Sequence, residues 1–169
     1  IQLLSNFTKL QNISSLSLNF PRGPKTAFLS IINNLQLKNL EIRFQKYPSS
    51  LEPLSEVRKT LETLSIEYNE ISVWGANKFQ NDISNLMHLD NLRSLKLYFD
   101  VENRIDLSEL AFALNIMNNL QNLALTLKNN EDGALVDFFG SISKDFSNLQ
   151  SFELRSLFSK RIFHEMEAA

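Results

Sequence analysis

Leu61-Glu62-Thr63-Leu64-Ser65-Ile66-Glu67-Tyr68-Asn69-Glu70-Ile71 is the stretch on which the fold turns. Its apolar residues Leu64, Ile66 and Tyr68 alternate with polar Ser65 and Glu67. Period two places alternate side chains on opposite sides of an extended chain, so these residues form a short strand with one buried face. The opening phrase, Leu-x-x-Leu-x-Leu, returns five more times. It stands at Ile13-Ser14-Ser15-Leu16-Ser17-Leu18, Leu37-Lys38-Asn39-Leu40-Glu41-Ile42 and Leu92-Arg93-Ser94-Leu95-Lys96-Leu97. It then recurs at Leu120-Gln121-Asn122-Leu123-Ala124-Leu125 and Leu149-Gln150-Ser151-Phe152-Glu153-Leu154. Successive phrases start 24, 24, 31, 28 and 29 residues apart. In most of them the alternation runs on to a third apolar residue, as in Phe20, Phe44, Phe99 and Leu127.

Between phrases the spacing becomes helical. Leu107, Leu110, Ala111, Leu114 and Met117 lie on one helical face, as do Leu135, Phe138, Phe139, Ile142 and Phe146. Asp106 and Asn77 are candidate N-caps. The two 24-residue intervals leave room only for short helices, around 26–35 and 51–61, and the 31-residue interval predicts a bulge or inserted turn near Trp74 and Gly75. A strand-plus-helix unit of this size cannot bury its own apolar face, so neighbouring units must stack and share one core. The expected architecture is α/β: about six repeats, their strands in one parallel sheet on the inside of an arc and their helices outside it.

These phrases resemble the leucine-rich-repeat family, in its ribonuclease-inhibitor-like form with a helix in every repeat. The resemblance covers nearly the whole of 1–169 as a single solenoid domain, and implies a curved horseshoe with a concave parallel sheet and convex helices. Residues 61–71 carry the family's full phrase, including at Asn69 the asparagine that in the family bonds the turn after the strand. Equivalent positions elsewhere hold Pro21, Gln45, Asp100, Lys128 and Leu157, so the family's asparagine ladder is expected to be broken. Ile1, Leu4, Phe7 and Leu10 read as the tail of an earlier repeat's helix. Leu157, Phe158, Ile162, Phe163 and Met166 read as a terminal helix, either a cap or the start of a seventh unit. The first residue is Ile1 rather than Met, and the chain is expected to be part of a longer protein.

Composition narrows the functional classes. Of 169 residues, 43% are hydrophobic and 21% charged, the profile of a globular domain. The formal charge is −2, with no Lys/Arg run to track a phosphate backbone, and nucleic acid is not an expected partner. No apolar stretch approaches the roughly 20 residues that span a bilayer, and no membrane partner is expected. The absence of cysteine removes disulfides, thiolate metal sites and thiol nucleophiles, and favours a cytoplasmic or other intracellular, reducing compartment. The Asn6 and Asn12 sequons are short enough to arise by chance in an Asn-rich chain.

Candidates for chemistry are few. His88 reads as a surface histidine at a helix end, and His164-Glu165 lacks the second histidine of a zinc-protease motif. Gly23-Pro24-Lys25-Thr26 lacks the upstream glycine of a phosphate loop, and Asn129-Asn130-Glu131-Asp132-Gly133 lacks the alternating ligands of a calcium loop. Both read as turns. No catalytic residue, cofactor, metal or small-molecule substrate is assigned. Trp74 reads as a side chain under its own loop before it reads as an anchor for a partner.

What remains is the face of the sheet turned away from the core. Its residues fall into two columns, Ser17/Glu41/Ser65/Lys96/Ala124/Glu153 and Asn19/Arg43/Glu67/Tyr98/Thr126/Arg155. A docked partner desolvates the middle of a face most completely, which selects Glu67, Lys96 and Tyr98, flanked by Arg43, as candidate protein-binding residues. The same columns also suit plain solvated surface, with Glu41–Arg43 and Glu67 beside Lys96 and Tyr98 stabilising only the sheet. The leading expectation is a non-catalytic protein-binding or scaffold module. The alternative implied by the resemblance is a regulatory repeat protein acting on an enzyme, of GTPase-activating or ubiquitin-ligase substrate-recognition type.

Overall fold

Each of the six phrases forms one strand. In the computed structural model, the described residues are 12–20, 32, 35–45, 54, 57, 59–71, 83–101, 106–128, 132–142 and 148–157, with 70, 71, 101, 132–136 and 157 described by backbone alone. The strands are β1 (Ser15–Phe20), β2 (Asn39–Phe44), β3 (Thr63–Ile71), β4 (Ser94–Val101), β5 (Asn122–Lys128) and β6 (Ser151–Leu157). They pair in chain order, β1-β2-β3-β4-β5-β6, and every pairing is parallel. Parallel neighbours need a crossover between them. Helices α1 (Ser108–Ile116) and α2 (Asp132–Ser141) make the crossovers before β5 and β6, and residues 83–86 form a helical turn before β4.

The register aligns equivalent positions of successive phrases. Leu16, Leu40, Leu64, Leu95, Leu123 and Phe152 lie side by side, as do Leu18, Ile42, Ile66, Leu97, Leu125 and Leu154. From β2 to β5 these residues are buried, in the same core as Leu110, Ala111, Ala113 and Leu114 of α1 and Phe138 of α2. The described helices therefore cover one face of the sheet, and none of them lies on the other. Each fully buried Leu contributes roughly 1.5–3 kcal/mol of transfer free energy. Along one edge of this core Phe20, Phe44, Tyr68 and Phe99 stack ring on ring, at centroid distances of 5.7, 5.5 and 5.6 Å.

The lead-in to each strand is equally regular. The carbonyls of Ser14, Lys38, Glu62, Arg93 and Gln121 each accept two successive N–H groups of the following repeat, at 2.7–3.1 Å. One residue ahead of the phrase, Asn91, Asn119 and Asn148 donate their side-chain amides to the carbonyls of Lys59, Asp90 and Asn118, at 2.6, 2.7 and 2.8 Å. An asparagine ladder does bind consecutive repeats. It lies before the strands, where the sequence pattern gave no family precedent.

Several expectations change. Asn69 lies within β3 and donates to Glu67 Oε1 at 3.1 Å, because the strand runs on to Ile71 and leaves no turn at Asn69 to bond. The β3–β4 register slips between Tyr68 and Ile71, earlier than the irregularity expected at Trp74 and Gly75, which lie outside the described residues. Leu107, not Asp106, flanks α1; the Asp106 carboxylate accepts the Ser108 N–H at 2.8 Å from one residue further out. Phe139 and Phe152, read as core, are each 44% exposed and meet edge to face at 6.2 Å, since β6 has no described strand beyond it. Of the described residues in the expected short helices, 32 is helical and 54, 57 and 59 are 3₁₀, whereas Leu35 lies in a bend, Thr60 in a turn and Leu61 in neither helix nor strand. The Asn77 cap, Phe146, the first eleven residues and those beyond 157 lie outside the described set. No helix among the described residues is long and apolar enough to cross a membrane.

Candidate binding face

Because the sheet is in register, residues that alternate with the buried ones form straight rows across all six strands. Ser17, Glu41, Ser65, Lys96, Ala124 and Glu153 make one row; Asn19, Arg43, Glu67, Tyr98, Thr126 and Arg155 make the next. Neighbours within a row are one interstrand spacing apart, about 4.8 Å. The structure brings Arg43, Glu67, Lys96 and Tyr98 together on β2, β3 and β4. A third row, Ser15, Asn39, Thr63, Ser94, Asn122 and Ser151, extends the face toward the strand starts and was missed in the columns read from sequence. Its signal was present: each of these residues precedes the second leucine-type position of its phrase, and each is small, polar and uncharged.

Most charges on this face are already partnered. Arg43 donates from Nε and Nη2 to Glu41 Oε1 at 3.0 and 2.8 Å, and its Nε lies 3.4 Å from Glu67 Oε2. Ser17 Oγ donates to the second Glu41 oxygen at 3.1 Å. The Arg43 hydrogen bonds, with help from Ser17, hold the Glu41 carboxyl below the usual glutamate range. Further along, Arg155 bonds Glu153, and Lys128 bonds Asp100 at 2.6 Å. That bond raises the Lys128 ammonium above its ordinary value.

Lys96 stands apart. It makes no hydrogen bond or ion pair among the described residues, and the short side chains of Ser65 and Ala124 flank it across the strands. The expected Glu67–Lys96 pair is not formed, because Arg43 and Asn69 occupy the two Glu67 oxygens. Tyr98 lies half-buried between Glu67 and Thr126, in register with both. Burial pushes its phenol pKa up, and the Asp100 carboxylate adds to the shift. Beside Lys96 an open groove of about 350 Å³ runs over Ser15, Ser17, Asn39, Thr63 and Ser65, with Glu41 at its other wall. Leu16 and Leu40 add an apolar part to the hydroxyl and amide groups that line it, and one carboxylate and one ammonium stand at its walls.

His88 is exposed in the turn after the helical segment at 83–86. Among the described residues no group of three or more His, Asp or Glu side chains is placed to hold a metal. Comparison with protein-family models, curated proteins and solved structures found no match to this chain.

Proposed function

We propose that the chain is a segment of a strand-plus-helix leucine-rich-repeat solenoid whose helix-free sheet face, the concave side of the arc, binds another protein. The observation that carries this reading is the arrangement of that face. Three rows of side chains cross six strands in register. On this broad, ordered surface the charges of β2, β3 and β6 are mutually satisfied, and Lys96 and Tyr98 stand at its centre. A half-buried tyrosine offers a large, rigid contact at small entropic cost, and an unpaired lysine rewards a partner's acid without first breaking an existing pair. Polar complementarity around a central aromatic is the pattern of a reversible protein interface.

The test is affinity capture by the wild-type chain and by Tyr98→Ala and Lys96→Glu. Both side chains leave the leucine core untouched. The reading expects each variant to weaken capture of the same protein at least tenfold with an unchanged circular-dichroism spectrum; undiminished capture rejects this face.

A further inference from the structure

We propose that the rim of the sheet, at the starts of β2, β3 and β4, holds a separate binding site for a doubly charged oxyanion of the phosphate class. Lys38, Glu62 and Arg93 each precede the first residue of their strand, so they repeat along the rim at one interstrand spacing. The doubly accepting carbonyls of Lys38, Glu62 and Arg93 fix this backbone from strand to strand. Lys59 enters from the turn before β3, and its carbonyl is held by the Asn91 amide at 2.6 Å. The asparagine ladder thus ties the backbone of Lys59 to the lead-in that carries Arg93. Together these residues surround an open cavity of about 360 Å³, to which Gln36 and Thr60 add an amide and a hydroxyl.

Charge selects the ligand. Three cations face one carboxylate, and Glu62 is engaged by Lys38 at 3.4 Å. Lys59 and Arg93 make no ion pair among the described residues. Among the described residues the cavity therefore carries two more positive than negative charges, in a chain whose net charge is −2. Its lining is rich in donors, and no apolar side chain is part of it. A guanidinium-bearing and an ammonium-bearing residue that line one cavity from two repeats supply the charge and the donors that a phosphate dianion takes. The anion can be a free phosphate compound or a phosphorylated side chain of a protein; the chemistry at the rim is the same. The site is on the edge of the sheet, away from Tyr98, and stands independently of the function proposed for the outward face.

The experiment is a titration of the full chain with inorganic phosphate at fixed ionic strength, read from backbone amide NMR shifts. A phosphoserine peptide and its unphosphorylated twin are titrated in parallel. Saturable shifts are expected at residues 59–62 and 91–93, with binding weakened at least tenfold in the Lys59→Gln/Arg93→Gln double variant. The substituted side chains are exposed, so the double variant should keep the wild-type spectrum elsewhere. Shifts that do not saturate, or that persist in the double variant, overturn the site. A phosphopeptide that binds more tightly than phosphate while its twin does not bind assigns the anion to a protein; the reverse order assigns it to a free compound.

Discussion

Asn119 donates its side-chain amide to the carbonyl of Asp90, 2.7 Å away and one repeat upstream. Asn91 and Asn148 repeat the bond on either side, so the described stack is held by a polar ladder as well as by its leucines. A hydrogen bond of this kind contributes about 0.5–1.5 kcal/mol net. Asn119→Ala should lower the unfolding free energy by that amount in urea denaturation, and replacing all three asparagines should lower it further. A triple variant as stable as the wild type would show the ladder to be ornamental.

The core makes a larger demand. Leu95 is 1% exposed and lies in register between Leu64 and Leu123, so truncation leaves a cavity shared by three repeats. Leu95→Ala should cost about 2–5 kcal/mol. A melting temperature unmoved by the substitution contradicts the packing described.

The aromatic stack predicts a gradient along the sheet. Phe44 is buried between Phe20 and Tyr68, whereas Phe20 is only partly buried. Phe44→Ala should cost about 3–5 kcal/mol and Phe20→Ala clearly less, since the cavity term requires enclosure. Equal losses in denaturant midpoints would refute this.

These relationships were unequally legible in the sequence. Period two in each phrase revealed the strands, and its repetition revealed their parallel register, because alternation fixes both which face is buried and which residues become neighbours. Arg43, Glu67, Lys96 and Tyr98 could therefore be placed on one face before any coordinates. The pairing of their charges could not: Glu67 has two candidate cations in adjacent strands, and only side-chain geometry gives it to Arg43. The ladder of Asn91, Asn119 and Asn148 bonds backbone carbonyls, which every residue possesses, so its only trace in sequence is an asparagine recurring before the phrase. Lys59 and Arg93 lie 34 positions apart, and nothing local marks them as lining one cavity. The exposure of Phe152 follows from its strand's position at the edge of the sheet, which the phrase itself does not encode.

Protonation adds a test of the outward face. The Glu41 carboxyl is held low by Arg43 and Ser17, so its folded pKa lies below the unfolded one. Its contribution to stability is therefore full above the unfolded pKa and is lost as the pH falls through the folded pKa. The stability difference between wild type and Glu41→Gln should narrow below about pH 4.3. Arg43→Gln should move the Glu41 titration, followed by carboxyl NMR, upward; a titration that stays where it was would show that Arg43 is not its cause.

The central claim, that the helix-free face of the sheet meets another protein, is tested most directly by site-specific photo-crosslinking. A photoreactive side chain is placed at position 98, at the centre of that face, and in a second preparation at position 112, where Phe112 of α1 is 54% exposed. Both are expressed within the native full-length protein in its own cells. The account predicts one discrete protein adduct from position 98, abolished by adding Lys96→Glu, and no such adduct from position 112. The same adduct arising from position 112 but not from position 98 would contradict it and move the interface to the helices.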